Sequence, residues 1–314
     1  MKVMSLNGSS NLSLKKTCAA IGIFDGVHRG HQYLIKQMLT RARRLKLKPI
    51  VITFFPHPAH VLCPGVKLGY LSSLKDRLVL LDDLGVEACL VVRFTPRFAR
   101  IEPQKFIKDI LVKKLGVEAL FVGDDFRFGK DRRGDITLFR ELGLKYGYET
   151  HAVSQIKQGS RSISSTRIRK LLSEGKLNEA ERLLGRKVSI SGPVIRGSRR
   201  GRDLGYPTAN VAYEADILPL QGVYVVRVLL GKKSYLAIAN IGTRPSFEKQ
   251  NSNLLLEVHI LDFSKDIYGL RLQVEFLKKI RNEKKFSNPQ DLIQQIQKDE
   301  AFARKCFFAK LQLF

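Results

Sequence analysis

At 314 residues with 44% hydrophobic side chains, the chain has length and apolar content for about two domains. No apolar run approaches the roughly 20 residues that a membrane helix needs, and residues 1–16 mix Lys, Ser and Asn without a signal-peptide core. A globular, cytoplasmic protein with no membrane partner is therefore expected. The formal charge of +26 is spread, with 34 Lys+Arg against 17 Asp+Glu over residues 1–186 and 21 against 12 over residues 187–314. Such an excess favours anionic partners, but its diffuseness argues against a dedicated nucleic-acid surface. Cys18, Cys63, Cys89 and Cys306 form no C-x-x-C pair, which fits a reducing compartment and core thiols rather than structural zinc.

From Thr17 to about Val153, short apolar runs alternate with amphipathic stretches. "CAAIGIF" precedes a helix from Gly30 to Leu45, and "PIVITFF" precedes one near Leu74 to Leu84. "ACLVVRF", a helix from Pro103 to Leu115, "VEALFVG", a helix near Ile136 to Tyr146 and "YETHAV" continue the alternation. Strict alternation implies right-handed crossovers and a parallel, Rossmann-like α/β sheet with ligands beyond the C-terminal strand ends. "FDGVHRGH", "PHP" and "GDDFRFG" each follow a strand, where such a fold places its sites. After a helical stretch from Ser165 to Leu184, five strand-like runs predict a small antiparallel β-barrel: "KVSISGPVI", "GVYVVRVLL", "SYLAIANI", "LLLEVHIL" and "LRLQVEFLKKI". A C-terminal helix opens with Asn288 as N-cap and Pro289 at its first position and runs to about Phe307. The boundary is expected near Gly185 to Lys187, giving domains 1–185 and 186–314.

His28 and His31, three residues apart at a helix start, share one face. Metal ligation, simple capping and phosphate binding all suit such a pair, although the H-E-x-x-H and H-x-E patterns of zinc sites are missing. The N-terminal N–H groups and dipole already favour an anion there, and imidazole donors could stabilise charge growing on a phosphate. "ISSTRIRKLL" (163–172) opens a helix with three hydroxyls yet puts Arg167, Arg169 and Lys170 in its first turns. The dipole disfavours cations at that end. A bound anion would remove the conflict, and an ordinary Ser/Thr cap is the plainer possibility. In "GDDFRFG", Phe126 and Phe128 could be core or a stacking wall for a flat ring.

In "GPVIRGSRRGRDLGYPTAN" (192–210), Gly197, Gly201 and Gly205 accompany four arginines, without matching the usual phosphate-loop spacings. Thr208 and Asn210 could offer neutral oxygens to a Mg²⁺ carried by ATP, or simply stabilise a turn. On "LLLEVHIL", alternation puts Leu254, Leu256, Val258 and Ile260 on one face and Glu257 with His259 on the other.

These motifs, in this order, resemble the bacterial bifunctional riboflavin kinase/FAD synthetase family from about Ala20 to the C-terminus. "GIFDGVHRGH", "TFFPHP", "VGDDFRFG" and "SSTRIR" are similar to its FMN adenylyltransferase module, a nucleotidyltransferase α/β fold. "GRDLGYPTAN", "GVYVVRV", "ANIGTRPSF" and "LEVHILDF" are similar to its riboflavin kinase barrel. The resemblance implies phosphorylation of riboflavin by ATP to FMN, then adenylylation of FMN by ATP to FAD and pyrophosphate, both with Mg²⁺ and with no bound redox cofactor. Riboflavin, FMN, FAD and ATP are then the partners. It further implies an adenylyltransferase ATP site of Gly22, Phe24, Asp25, His28, His31, Ser164, Ser165, Thr166 and Arg169, with His28, His31 and Arg169 as catalytic groups. Asp125, Phe126 and Phe128 would line the FMN site. In the barrel, Gly197, Arg202, Gly205, Thr208 and Asn210 would hold ATP, Thr208 and Asn210 would hold its metal, and Glu257 would face the ribityl hydroxyl as base. Ile23 stands at a variable position, Tyr206 replaces a more usual Phe, and Ser246 replaces a Thr. A single-activity nucleotidyltransferase whose barrel only binds a ligand or nucleic acid is the competing expectation.

Overall fold

The computed structural model describes residues 1–6, 13–63, 65–66, 68–197, 201, 204–213, 217–243 and 254–311, with side chains to residue 306. The chain divides into two compact units, Met1–Ser165 and Thr166–Phe314.

The first unit is built on β1 (Lys2–Ser5), β2 (Thr17–Ile21), α1 (Arg29–Leu45), β3 (Lys48–Phe55), α2 (Pro58–Leu62), α3 (Leu74–Asp83), β4 (Ala88–Arg93) and α4 (Pro96–Ala99). It continues with α5 (Pro103–Lys105), which runs on as a π-helix over Phe106–Lys114, then β5 (Val117–Gly123), α6 (Ile136–Tyr146) and β6 (Glu149–Val153). The six strands are parallel in the order β1-β4-β3-β2-β5-β6. β2 is buried throughout because both faces are covered. Its alternate residues supply two cores, Ala19 and Ile21 joining Ile50, Ile52 and Leu90 on one side. Cys18 and Ala20 join Ile35, Met38 and Val51 on the other. The expected elements of this half are present. β1 was not legible: it has four residues, of which Met4 alone is buried.

β2 leads on one side to β3 and on the other to β5, so the order reverses between β2 and β5. Ligands of open parallel sheets sit in the crevice that such a reversal leaves at the C-terminal strand ends. The segments after β2 and β5 carry Gly22–His31 and Asp125–Phe128. A short hairpin, β7 (Lys157–Gln158) with β8 (Arg161–Ser162), follows β6.

In the second unit the helical stretch is two helices, α7 (Ser165–Ser173) and α8 (Leu177–Leu184), separated at Gly175 in a left-handed turn. Then come β9 (Ser189–Ile195), β10 (Ala209–Val211), β11 (Gly222–Leu230), β12 (Lys233–Thr243), β13 (Leu254–Ile260), β14 (Arg271–Arg281) and α9 (Pro289–Leu311). Six strands close an antiparallel barrel in the order β10-β13-β12-β11-β14-β9. Five of them match the apolar runs of the sequence. The sixth, β10, begins within "PTAN", for which the sequence suggests a metal site or a turn, and it closes the ring by pairing with both β9 and β13. α9 opens at the expected cap, where the side-chain Oδ1 of Asn288 accepts from Asp291 N at 2.9 Å. Its Ala303 is buried with Val223, Val225, Ile238 and Leu261.

Candidate active sites

The turn between β2 and α1 is tightly wound, with Phe24, Gly26 and Val27 all at positive φ. Non-glycine residues in that region carry strain that surrounding contacts must offset. Asp25 supplies them: its carboxylate accepts from Leu71 N at 3.1 Å and from Ser72 N at 3.2 Å. The fully buried Arg77 of α3 lies 3.8 Å from it and donates to the Ile23 carbonyl at 2.9 Å. Asp25 is 2% exposed, so its carboxylate fastens the turn, while its carbonyl accepts from Ser165 Oγ at 3.0 Å. Phe24 is also buried and meets His31 edge-on, with ring centroids 5.2 Å apart. A side chain at Gly22 would collide with the Phe24 ring, whose Cζ lies 2.9 Å from a Cβ there.

That turn delivers the two histidines. His28 is the N-cap of α1, its Nδ1 accepting from His31 N at 3.3 Å. The capping use and an anion-binding use are compatible, because a ring that accepts at Nδ1 carries its proton on Nε2. The His28 and His31 rings stack at 3.6 Å with 17° between planes, so the pair presents one surface at the helix N-terminus. Ile163, just before Ser164 and Ser165, has its carbonyl 3.7 Å from a Cβ placed at Gly30. Ile163 and Ser165 therefore lie against the turn and the start of α1. Within α7, Thr166 is exposed and Arg169 is half-buried.

After β5, Asp125 accepts from Gln155 Nε2 at 2.7 Å. Phe128 is 8% exposed and stacks on Phe139 at 4.1 Å, so its ring serves the core. Phe126 is partly buried beside it, with ring centroids 6.1 Å apart. Gln155 and Ile156 line a cavity of about 770 Å³ whose other walls include Tyr33 and Gln37 of α1, Phe121 and His151. His151 stacks on Phe121 at 4.5 Å and bonds Glu149 at 3.0 Å. Hydrogen bonds from Arg41 and then His151 hold the Glu149 carboxyl below its ordinary range.

The barrel assembles its residues by register. Asn210 of β10 stands opposite Glu257 of β13, and Asn240 of β12 stands opposite Glu257 from the other side. Leu256, Val258 and Ile260 are buried on the opposite face, as alternation requires. Gly197 approaches the Asn210 side chain so closely that a Cβ there would sit 2.1 Å from its Nδ2. Thr208 Oγ1 lies 3.4 Å from the Cβ position of Gly201, and Gly205 holds a left-handed turn at φ +83. Arg202 and Ser246 lie outside the described residues. The donors of Thr208 and Asn210, neutral oxygens beside a glycine cradle, suit a hard cation.

Sequence reasoning missed Arg77, Gln155, Asn240 and the strand character of β10, although it singled out Asn210 within it. Arg77 had a signal, since it shares the buried stripe of α3 with Leu81, where an unpaired cation would be costly.

Fold and sites define the class: a nucleotidyltransferase-type parallel sheet joined to a kinase-type barrel. The FAD synthetase family model matches residues 10–167 and the riboflavin kinase family model matches residues 184–307. Bifunctional riboflavin kinase/FMN adenylyltransferase from Escherichia coli K12 is 42% identical over 306 residues, covering 96% of this chain and 97% of that protein. The protein of the same description from Listeria monocytogenes is 41% identical over 298 residues, covering 93% of each. A crystal structure described as a macrolide-efflux protein from Streptococcus pneumoniae is 30% identical, with a TM-score of 0.85 over 97% of this chain and 99% of that one. The chain belongs to the bifunctional riboflavin kinase/FMN adenylyltransferase family.

Proposed function

We propose that this chain makes FAD in two consecutive reactions, each assigned to its own module and its own residues. The observation that carries the reading is that each module holds a separate candidate phosphate site: the stacked His28 and His31 at the start of α1, and the Asn210 and Glu257 pair across β10 and β13. The kinase module is assigned to residues 186–314 and the adenylyltransferase to residues 1–185. In the barrel, the 5′-hydroxyl of riboflavin attacks the γ-phosphorus of ATP, Glu257 orients that hydroxyl and accepts its proton, and ADP leaves. Thr208 and Asn210 would hold Mg²⁺, with Gly197, Arg202 and Gly205 framing the nucleotide. Bound there, the ion would neutralise phosphate charge during transfer.

In the sheet module, a phosphate oxygen of FMN attacks the α-phosphorus of ATP and pyrophosphate leaves. That nucleophile is already ionised and needs no base. His28, His31 and the α1 N-terminus donate to the ATP phosphates, where fixed donors act most strongly on developing charge. Ser164, Ser165, Thr166 and Arg169 complete the anion site, and Gly22, Phe24 and Asp25 shape the turn that carries it. Asp125 and Phe126 border FMN, with Phe128 behind them, and the cavity along α1 and β6 has room for the adenosine. The scattered cysteines fit a cytoplasmic location. Thr208, Asn210 and Glu257 argue against a barrel that only binds.

The test is to incubate the full chain with riboflavin and Mg-ATP and resolve the flavins over time. FMN should appear first and FAD after it. Production of FAD from supplied FMN, with no FMN from riboflavin, would leave a single-activity nucleotidyltransferase instead.

A further inference from the structure

Glu257 and His259 emerge on one face of β13, yet only Glu257 has a place in the chemistry above. His259 is engaged at both ring nitrogens, Nδ1 lying 2.8 Å from the Pro207 carbonyl oxygen and Nε2 3.0 Å from Glu300 Oε1. A carbonyl oxygen only accepts, so the bond to Pro207 calls for an N–H at Nδ1. The His259 side chain is 16% exposed, and the Tyr206 ring meets it edge-on at 5.5 Å. The two bonds join one fixed element to one that needs fixing.

The fixed element is α9. Glu300 lies one turn before the buried Ala303. Its neighbour Asp299 is held by Arg281 at 2.8 Å, and Arg304 bonds Asp262 at 2.7 and 2.8 Å. The other element is the approach to β10. Pro207 has no N–H with which to anchor itself, and the segment before it is tied by the bond from Tyr206 N to the Gly201 carbonyl at 2.8 Å. The carbonyl held by His259 belongs to the planar peptide that joins Pro207 to Thr208. Fixing its oxygen fixes the direction from which Thr208 starts, two residues ahead of Asn210.

We infer that His259 is a positioning residue of the riboflavin kinase reaction, a strut from α9 to the Pro207 carbonyl that sets Thr208 and Asn210 toward the metal–nucleotide. The inference rests on the reading that Thr208 and Asn210 hold Mg-ATP.

In the full chain, His259→Ala should raise the kinase KM for ATP by about tenfold or more. The KM for riboflavin should stay within about twofold, since this interaction serves ATP alone. His259→Asn places an amide N–H near the Nδ1 position and should recover most of the ATP affinity. His259→Gln, which reaches toward Glu300 instead, should not. A role in folding alone would move both KM values and the unfolding temperature together, and it would not separate Asn from Gln. The inference is overturned if His259→Ala leaves the ATP KM within about twofold of wild type, or if Asn and Gln rescue equally. If the Ala variant does not fold, the comparison of Asn with Gln decides. Thr208→Ala and Asn210→Ala separate this inference from the reading beneath it. If both leave riboflavin phosphorylation intact, that reading falls and the inference with it. If they abolish it while His259→Ala is silent, the strut alone is wrong.

Discussion

The two sites proposed to hold a polyphosphate are built by different means. In the sheet, the site grows from a single continuous stretch: β2 ends, a strained turn fastened by Asp25 follows, and α1 begins with its N–H groups and the stacked His28 and His31. In the barrel, residues far apart in sequence meet because β10, β12 and β13 are in register at Asn210, Asn240 and Glu257. A site on a helix start depends on one turn keeping its shape. A site made by register depends on several strands staying paired.

The comparison breaks most sharply if the two sites are not separable. His28→Ala combined with His31→Ala should lower FAD formation from supplied FMN by about 10³-fold or more, given the typical 10²- to 10³-fold cost of one such donor, while FMN formation from riboflavin stays near wild type. Loss of both rates in the folded double variant would mean one shared site. Glu257→Gln keeps size and hydrogen bonding but removes the proton acceptor. FMN formation should fall by about 10²-fold through kcat, with the rate of FAD formation from FMN unchanged. Gly197→Ala sharpens the comparison by moving Asn210 without removing a functional group: its Cβ would meet Nδ2 at 2.1 Å, and steady-state kinetics should show riboflavin phosphorylation down by up to about 10²-fold, the cost of a small misplacement. The smallest effect is on stability. The Glu149 carboxyl is held low, by Arg41 first and His151 second, so this pair stabilises the fold above the carboxylate range, and the contribution is lost as the pH falls through the lowered value. The pair is partly exposed and screened by solvent, so Arg41→Ala should cost about 0.2 to 1 kcal/mol near neutral pH. Denaturant unfolding of wild type and variant should converge in acid.

What was legible in the sequence follows from the same contrast. The α/β half could be read because each strand is a full apolar run, each helix has a clear stripe, and each motif follows its strand directly. α6 is an example: Asp135 caps it, bonding Thr137 N at 3.0 Å, and Gly147 ends it in a left-handed turn. β10 could not be read because three residues are too few to show a period of two, and its pairing is fixed by β9 and β13, one of them over 40 positions away along the chain. Glu257 was recognisable as a polar residue on an apolar strand, but its neighbours across the sheet were not. Asp25 is legible as part of the motif after β2, but the bonds of its carboxylate to Leu71 and Ser72 are contacts that no local pattern announces.

The brevity of β10 has a further consequence, for solubility. A closed barrel offers no free edge to a second chain, and here the ring is closed by Ala209–Val211 alone. Lifting that strand would bare the backbone edges of β9 and β13 at once, beside the exposed Ile195 and Leu270. Rows of unpaired N–H and C=O groups next to apolar side chains are templates for strand-to-strand association. Changes that loosen the nucleotide segment of this barrel should therefore show up as intermolecular aggregation as well as lost turnover.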